Sequence, residues 1–380
     1  MAGIYIHIPF CKKACHYCNF HFSTSANNIN EMAQAICIEA ALRKNYITEN
    51  IETIYFGGGT PSLLSIEDLQ LIMENLKKDF LMDSDAEITL EANPDDIDEK
   101  KLLEWKGAGI NRLSIGAQSF FDNELIWMNR AHNASQAAQS IELAQCAGFS
   151  NISIDLIYGS QTLSDADWAR NVQQALALNI PHLSCYALTV EPKTTLQKMI
   201  EQHKIQNVDA EKQSHQFELL MQWMNDANYE HYEISNFAKQ GMRSKHNSSY
   251  WQQKNYLGLG PSAHSFNGES RQWNVANNSL YIKNIQQNII PFEIEYLSAE
   301  QKLNEYIMTS LRTAEGLSLQ DVSENWSKQL SEQIFNEAGK WIEQSKIFLK
   351  NNHLILTNQG KLFADGIAAN LFIEHLQYHF

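Results

Sequence analysis

The feature that most constrains this chain is the alternation of short apolar runs with amphipathic stretches through its first half. GIYIHI (3–8), ETIYF (52–56), EITLEANP (87–94), RLSIGAQ (112–118), NISIDLIYG (151–159) and HLSCYAL (182–188) each predict a strand. They are short, rich in β-branched residues and stopped by glycine, proline or asparagine. Between them, 30–46, 65–80, 98–109, 133–149 and 164–178 carry apolar residues at helical spacing. Ser65, with Asp68 three residues on, starts one of these helices, and Gly109 stops another. Strand–helix–strand units of this length place successive strands parallel, and right-handed crossovers wind them into an open or closed barrel. The predicted fold class is therefore α/β, a partial (βα)6 barrel of parallel strands. In such folds the functional groups gather where strands end.

The end of the first strand carries CKKACHYC (11–18), three of the chain's 6 cysteines in eight residues. The others, Cys37, Cys146 and Cys185, are scattered, which is no disulfide framework and suits a reducing compartment, the cytoplasm. Pairing within the cluster would strand one thiol, and a nucleophilic cysteine needs a base rather than two more thiols. Metal binding fits. Zinc would need a fourth ligand, for which His16 or His21 is available. The Cys-x3-Cys-x2-Cys spacing favours a 4Fe–4S cluster held at three corners, leaving the fourth iron open to a ligand. A net charge of -15 argues against nucleic-acid binding and against a polybasic membrane contact. No apolar run approaches the roughly 18 residues of a membrane span, so any membrane contact is expected to be peripheral.

Other strand ends offer further candidates. Gly57, Gly58 and Gly59 precede Thr60 and Pro61, either as a tight turn or as exposed backbone for a close ligand. Glu91 and Asn93 end the third strand and Gln118 the fourth. Asp155 interrupts the apolar run ISIDLIY, so it meets either a neighbouring polar group or a ligand's ribose or ammonium. Arg130 is either a surface cation or a carboxylate clamp.

The cysteine spacing resembles the signature of the radical S-adenosylmethionine (radical SAM) enzymes. YIHIPFCKKACHYCNF, GGGTPS, LEANP, SIGAQSF, MNRAH and IDLIYG recur in this order in the branch typified by coproporphyrinogen III dehydrogenase (HemN), across essentially the whole chain. The resemblance implies a radical SAM barrel with Cys11, Cys15 and Cys18 as cluster ligands. It implies S-adenosylmethionine contacts at Tyr5, Gly58, Gly59, Thr60 and Glu91. Tyr17, Gln118, Arg130 and Asp155 match residues lining nucleotide or methionine groups in the dehydrogenase, which holds a second S-adenosylmethionine; whether a second one binds here stays open. Two departures stand out: Phe20 replaces a fourth cysteine, and the first cysteine is already residue 11, without the dehydrogenase's longer N-terminal extension. Both look like the HemW subgroup, whose members bind haem and deliver it to respiratory haem proteins.

His246-Asn247-x-x-Tyr250-Trp251 resembles the HNxxYW motif of that subgroup and makes His246 the expected haem ligand, with His264 a weaker candidate and His7 a packing or cofactor-adjacent residue. On residues alone, His246 suits a histidine bonded to its own loop better than a ligand; the motif's resemblance reverses that. Two functions follow: a haem chaperone, or an oxygen-independent coproporphyrinogen III dehydrogenase. The expected organisation is a barrel over 1–190, a helical extension over 191–296, and a C-terminal α+β winged-helix-like module over 297–380. That module has a hairpin turn at Asn351-Asn352 and is expected to cover the barrel mouth for a partner or substrate. Monomer and homodimer are both compatible with the sequence.

Overall fold

The computed structural model describes residues 2–374. Six parallel strands form its centre: β1 (Ala2–Ile8), β2 (Ile51–Gly58), β3 (Met82–Ala92), β4 (Arg112–Gln118), β5 (Asn151–Tyr158) and β6 (His182–Ala187), adjacent in chain order. Helices Ile29–Leu42, Ile66–Asp79, Glu99–Ala108, Ala134–Cys146 and Asp165–Ala177 make the crossovers. Ile4, Ile6 and Ile8 on β1 are fully buried, as expected of strands covered on both faces. Helix starts follow local chemistry: Ser65, Asp98, Asn133 and Ser164 each accept a backbone N–H of the first turn. Gly109 closes its helix in the left-handed region at φ 101°.

The stretch 191–296, expected to be a helical extension, needs correction. It contributes four helices, Thr195–Glu201, Ala210–Asp226, Lys245–Trp251 and Asn278–Ile285, but also six strands: β7 (Glu230–Glu233), β8 (Asn236–Ala238), β9 (Asn255–Leu259), β10 (His264–Phe266), β11 (Ser270–Asn274) and β12 (Phe292–Tyr296). They enlarge the barrel sheet to 12 strands in the order β12-β11-β10-β9-β1-β2-β3-β4-β5-β6-β8-β7. β9 runs parallel to β1, with Tyr5 opposite Gly258, and the remaining added strands pair antiparallel. Strands of 3–5 residues are too short to show the alternation that reveals a strand in sequence.

A second hydrophobic core, with Leu303, Ile307, Leu317, Val322, Ile334 and Leu354 fully buried, lies in the C-terminal part. There helices Ala299–Leu311, Leu319–Asn325, Lys328–Glu343 and Ala364–Asn370 pack around β13 (Leu317–Ser318), β14 (Ile347–Lys350) and β15 (His353–Leu356). These strands form an antiparallel sheet ordered β13-β15-β14. Asn351 and Asn352 take φ 49° and 64°, so the expected two-residue hairpin turn is present. This part is tied to one flank of the large sheet by Ile234 N–H donating to the Arg312 carbonyl (3.1 Å) and Ala314 N–H to the Tyr232 carbonyl (2.9 Å). The Arg271–Glu305 ion pair (2.7 Å) ties it to the other flank. No helix among the described residues is long and apolar enough to cross a membrane.

Candidate functional site

The cysteine loop leaves the carboxyl end of β1 and is folded back on it. Cys11 N–H donates to the Ser23 carbonyl (3.0 Å), and Ser23 N–H to the Pro9 carbonyl (2.9 Å). Other strand ends hold the loop from outside. Lys12 pairs with Asp95 (2.7 Å) and with Asp96, just beyond β3. Asn129 donates to the Ala14 carbonyl (2.8 Å), and His16 N–H to the Met128 carbonyl (3.2 Å). Cys11, Cys15 and Cys18 are half-buried and free of disulfides. Burial, and then the mutual repulsion of the three sulfurs, pushes the Cys18 thiol up to about 11; burial also raises Cys11, against a hydrogen bond from Thr60.

The 57–59 turn approaches this loop closely. Gly58 sits at φ 102°, and a Cβ there would lie 2.6 Å from the His7 ring; one on Gly59 would lie 2.6 Å from the Phe10 carbonyl oxygen. Thr60 accepts from Asn93 (3.2 Å), whose Oδ1 accepts from Arg130 (2.6 Å). Arg130 also donates to the Gly116 carbonyl (2.9 Å), the Cys15 sulfur (3.2 Å) and the Tyr17 hydroxyl (3.5 Å), while its Nε is buried without a partner. Arg130 is therefore no surface cation. A register slip between Ile115 and Gln118 bends the end of β4, and Gln118 is held at φ 64°. The cysteines, Tyr17, Thr60, Asn93 and Arg130 thus belong to one connected group, with Gly58, Gly59 and Gln118 on its strand ends.

Deeper in the barrel stand Tyr5, Tyr55, Glu91 and Asp155. Glu91 accepts from the Tyr55 hydroxyl (2.8 Å), which stacks near Tyr5 (6.1 Å between centroids). Burial lifts Glu91 to about 7, and the neighbouring Asp155 charge adds to it; burial lifts Asp155 to about 6, opposed by the Ser184 hydroxyl on β6. Both carboxyls are thus short of cationic company, Arg112 and Arg130 notwithstanding. Tyr55, Arg112, Ser184 and Tyr186 are members of this group that sequence reading missed. Tyr186 lies among Asp155, Glu233 and Glu91 yet is 42% exposed, so the lumen is open to solvent. Strand alternation from Asp155 and its cross-strand partner Ser184 was the available signal.

His246 lies below these residues, at the start of the short helix Lys245–Trp251, and is 1% exposed. Its Nδ1 is hydrogen-bonded to Thr53 Oγ1 (2.7 Å) and its Nε2 to the Tyr250 hydroxyl (2.9 Å), and its ring stacks on Tyr55 at 4.9 Å. Burial, then Arg112, depresses it to about 3. Both nitrogens are committed inside the protein, so an outside iron could reach Nε2 only if Tyr250 let go. Tyr250 packs edge-on against His246 (5.0 Å between centroids) and Tyr256, while Trp251 lies under the Arg312 guanidinium of the C-terminal part.

Residues 5–175 match the family described as Radical SAM superfamily, and residues 297–363 match the HemN C-terminal domain. The heme chaperone HemW of Bacillus subtilis is 35% identical over 97% of this chain and 98% of its own length. The chain belongs to the HemW family. A second HemW heme chaperone, from Mycobacterium tuberculosis, is 30% identical over 97% of this chain and 94% of its own. The solved HemN coproporphyrinogen III oxidase of Escherichia coli, described as a radical SAM enzyme, superposes with a TM-score of 0.84 over 98% of this chain and 90% of that one; at 20% identity it shares the fold. HemW membership, through the radical SAM superfamily, implies a 4Fe–4S cluster and S-adenosylmethionine. The residues present fit both groups. Three thiols on one loop, free of disulfides and with Cys11 and Cys18 raised by burial, suit an iron centre whose charge favours thiolates. Two buried carboxyls raised by desolvation suit a ligand bringing a cation. Among the described residues no three histidine, cysteine or carboxylate side chains converge on a single-ion site.

Proposed function

We propose that this chain is a haem chaperone: it binds a 4Fe–4S cluster at Cys11, Cys15 and Cys18, S-adenosylmethionine in the barrel beside it, and haem, which it delivers to respiratory haem proteins. The observation that carries this reading is the full-length similarity to HemW heme chaperones. When bound, the cluster supplies a low-potential electron and an open iron for the methionine end of the cofactor. The chain's own residues do the rest. The pinned loop presents three thiolates on one side of the lumen. Tyr5, Gly58, Gly59 and Thr60 offer ring faces and backbone to a ligand lying against β1 and β2. Glu91 and Asp155 hold negative charge for its amine or ribose, and Gln118, Arg130 and Tyr17 close the opposite wall. Phe20 stands where the dehydrogenase carries a fourth cysteine and is 67% exposed, so that position offers haem or a partner an apolar rim in place of a thiol.

The test is anaerobic. Purified and reconstituted protein is expected to show cluster absorption and to take up haem. With reductant, S-adenosylmethionine and coproporphyrinogen III it should form no protoporphyrinogen. Efficient protoporphyrinogen formation overturns the chaperone reading in favour of the dehydrogenase, and a single bound zinc overturns the cluster.

A further inference from the structure

A porphyrin iron needs a nitrogen lone pair that faces open space. Among the described histidines, His246 and His182 have both ring nitrogens bonded inside the protein. His7 and His231 likewise have both nitrogens engaged. His132 is buried against the Ala117 carbonyl. His16 and His21 keep one nitrogen each, but both lie on the cysteine loop, where a porphyrin would compete with the cluster. His215 is ion-paired with Asp165 on an exposed helix, and His353 keeps Nε2 but lies on the hairpin strand β15 of the C-terminal part, outside the barrel. Among the described residues only His203 and His264 have neither nitrogen hydrogen-bonded or ion-paired. His203 is an isolated side chain on an exposed turn.

His264 is exposed and sits in a built setting. Opposite it on β11 is Trp273, whose ring lies 6.1 Å away at 29° and flanks the imidazole. Two residues along β10, Phe266 is buried against Tyr256. Arg271 stands opposite Phe266. Cross-strand partners share a face, so His264, Phe266, Trp273 and Arg271 line one side of the sheet. Tyr256 puts that side on the barrel interior, since Tyr256 opposes Gly3, whose open side meets Thr53 and His246. The patch therefore continues the concave face of the barrel past β1.

We propose that His264 is the axial ligand of haem iron, with the porphyrin standing on the concave face of β10 and β11 and Arg271 pairing with a propionate. This deepens the chaperone reading and rests on it. The site supplies an imidazole free to ligate, an aromatic ring beside it, a buried apolar floor, and a guanidinium two strand positions along on the same face. Burial, then the Arg271 charge, lowers the His264 pKa, which keeps the ring neutral and its lone pair available at pH 7. Arg271 presently pairs with Glu305 on the C-terminal helix (2.7 Å), so a propionate that takes Arg271 frees Glu305 and loosens one of the ties between sheet and C-terminal part.

The experiment is a haem titration of the full chain, wild type against His264→Ala, read by visible absorption and by electron paramagnetic resonance of the ferric complex. His264 is exposed, so the substitution leaves the fold intact, which circular dichroism checks. The expected result is loss of the histidine-ligated spectrum, a fall in affinity of about tenfold or more, and recovery of the spectrum when free imidazole is added to His264→Ala. A wild-type spectrum and affinity in His264→Ala overturn the ligand assignment and leave the chaperone reading standing. Failure of the wild type to bind haem removes both. Arg271→Ala is expected to weaken binding without changing the iron's ligand signature; a changed ligand signature there would contradict the propionate role.

Discussion

Glu91 and Asp155 face one lumen at raised pKa values of about 7 and about 6. For Glu91 the folded value stands above the ordinary 4.5. Folding therefore favours its protonated form, and that contribution is complete below about pH 4.5 and lost as pH rises through 7. Glu91→Gln removes the penalty of an uncompensated buried carboxylate. It should stabilise the cluster-free protein by about 1–3 kcal/mol at pH 8, with the difference shrinking as the pH is lowered toward 5. Urea denaturation at the two pH values reads this. Equal stabilities at pH 8 would mean that Glu91 is solvated or already paired. The same carboxyls predict proton release when a cationic ligand enters: S-adenosylmethionine added at pH 6.5 should expel about one proton or less, measured calorimetrically in two buffers of different ionisation heat. His246 is the converse case. Its motif was legible in the sequence, and the four-residue spacing puts Tyr250 on the same helix face, but the bond to Thr53 on β2 was not, because that partner is distant in the chain.

At the scale of elements, the long parallel strands and their helices were legible because burial on both faces writes continuous apolar runs, and caps such as Ser65 and Gly109 mark helix ends. The short flanking strands were hidden, and with them the join of β9 to β1 that carries His264 to the lumen side. The candidate site was legible as a set of strand ends. Its hidden part is Arg112, Tyr55, Ser184 and Tyr186, which become site residues only once cross-strand register is known. The turn after β2 shows how tightly these elements are fitted. Gly58→Ala would combine a left-handed backbone with a Cβ 2.6 Å from the His7 ring. We expect destabilisation of about 2 kcal/mol or more and weaker cluster reconstitution, read by thermal melting and by iron content. Ser65→Ala, which removes a helix cap whose bonds go to Asp68 and not to the cysteine loop, should cost about 1 kcal/mol and leave iron content unchanged. If the two variants lose iron alike, the effect is global softening rather than the turn's fit.

For the whole molecule, the buried histidines set the response to acid. His7 and His132 are depressed to about 4, and His231 and His246 to about 3, in each case first by burial. His182 is lowered as well, by burial and Arg112. Each is neutral in the folded chain and charged in the unfolded one below pH 6.5, so each contributes stability above 6.5 that is lost as pH falls. Glu91 and Asp155 work in the opposite direction, holding protons in the folded state that the unfolded chain has released. Near pH 5.5 the histidines outnumber them, and unfolding takes up about two to three protons net. Stability should therefore fall by roughly 3–4 kcal/mol per pH unit between pH 6 and 5. His7, His182 and His231 sit in the large sheet, His132 and His246 are hydrogen-bonded to its strands at Ala117 and Thr53, and His231 is also hydrogen-bonded to Lys361 (2.8 Å) at the contact with the C-terminal part. Acid should thus open the barrel and this contact together, before the second core, which has no buried histidine among the described residues. Urea midpoints at pH 7, 6 and 5, followed by tryptophan emission of Trp168 for the barrel and Trp326 for the C-terminal part in single-tryptophan variants, separate the two. An unchanged barrel midpoint from pH 7 to 5 would refute the neutral burial of these rings.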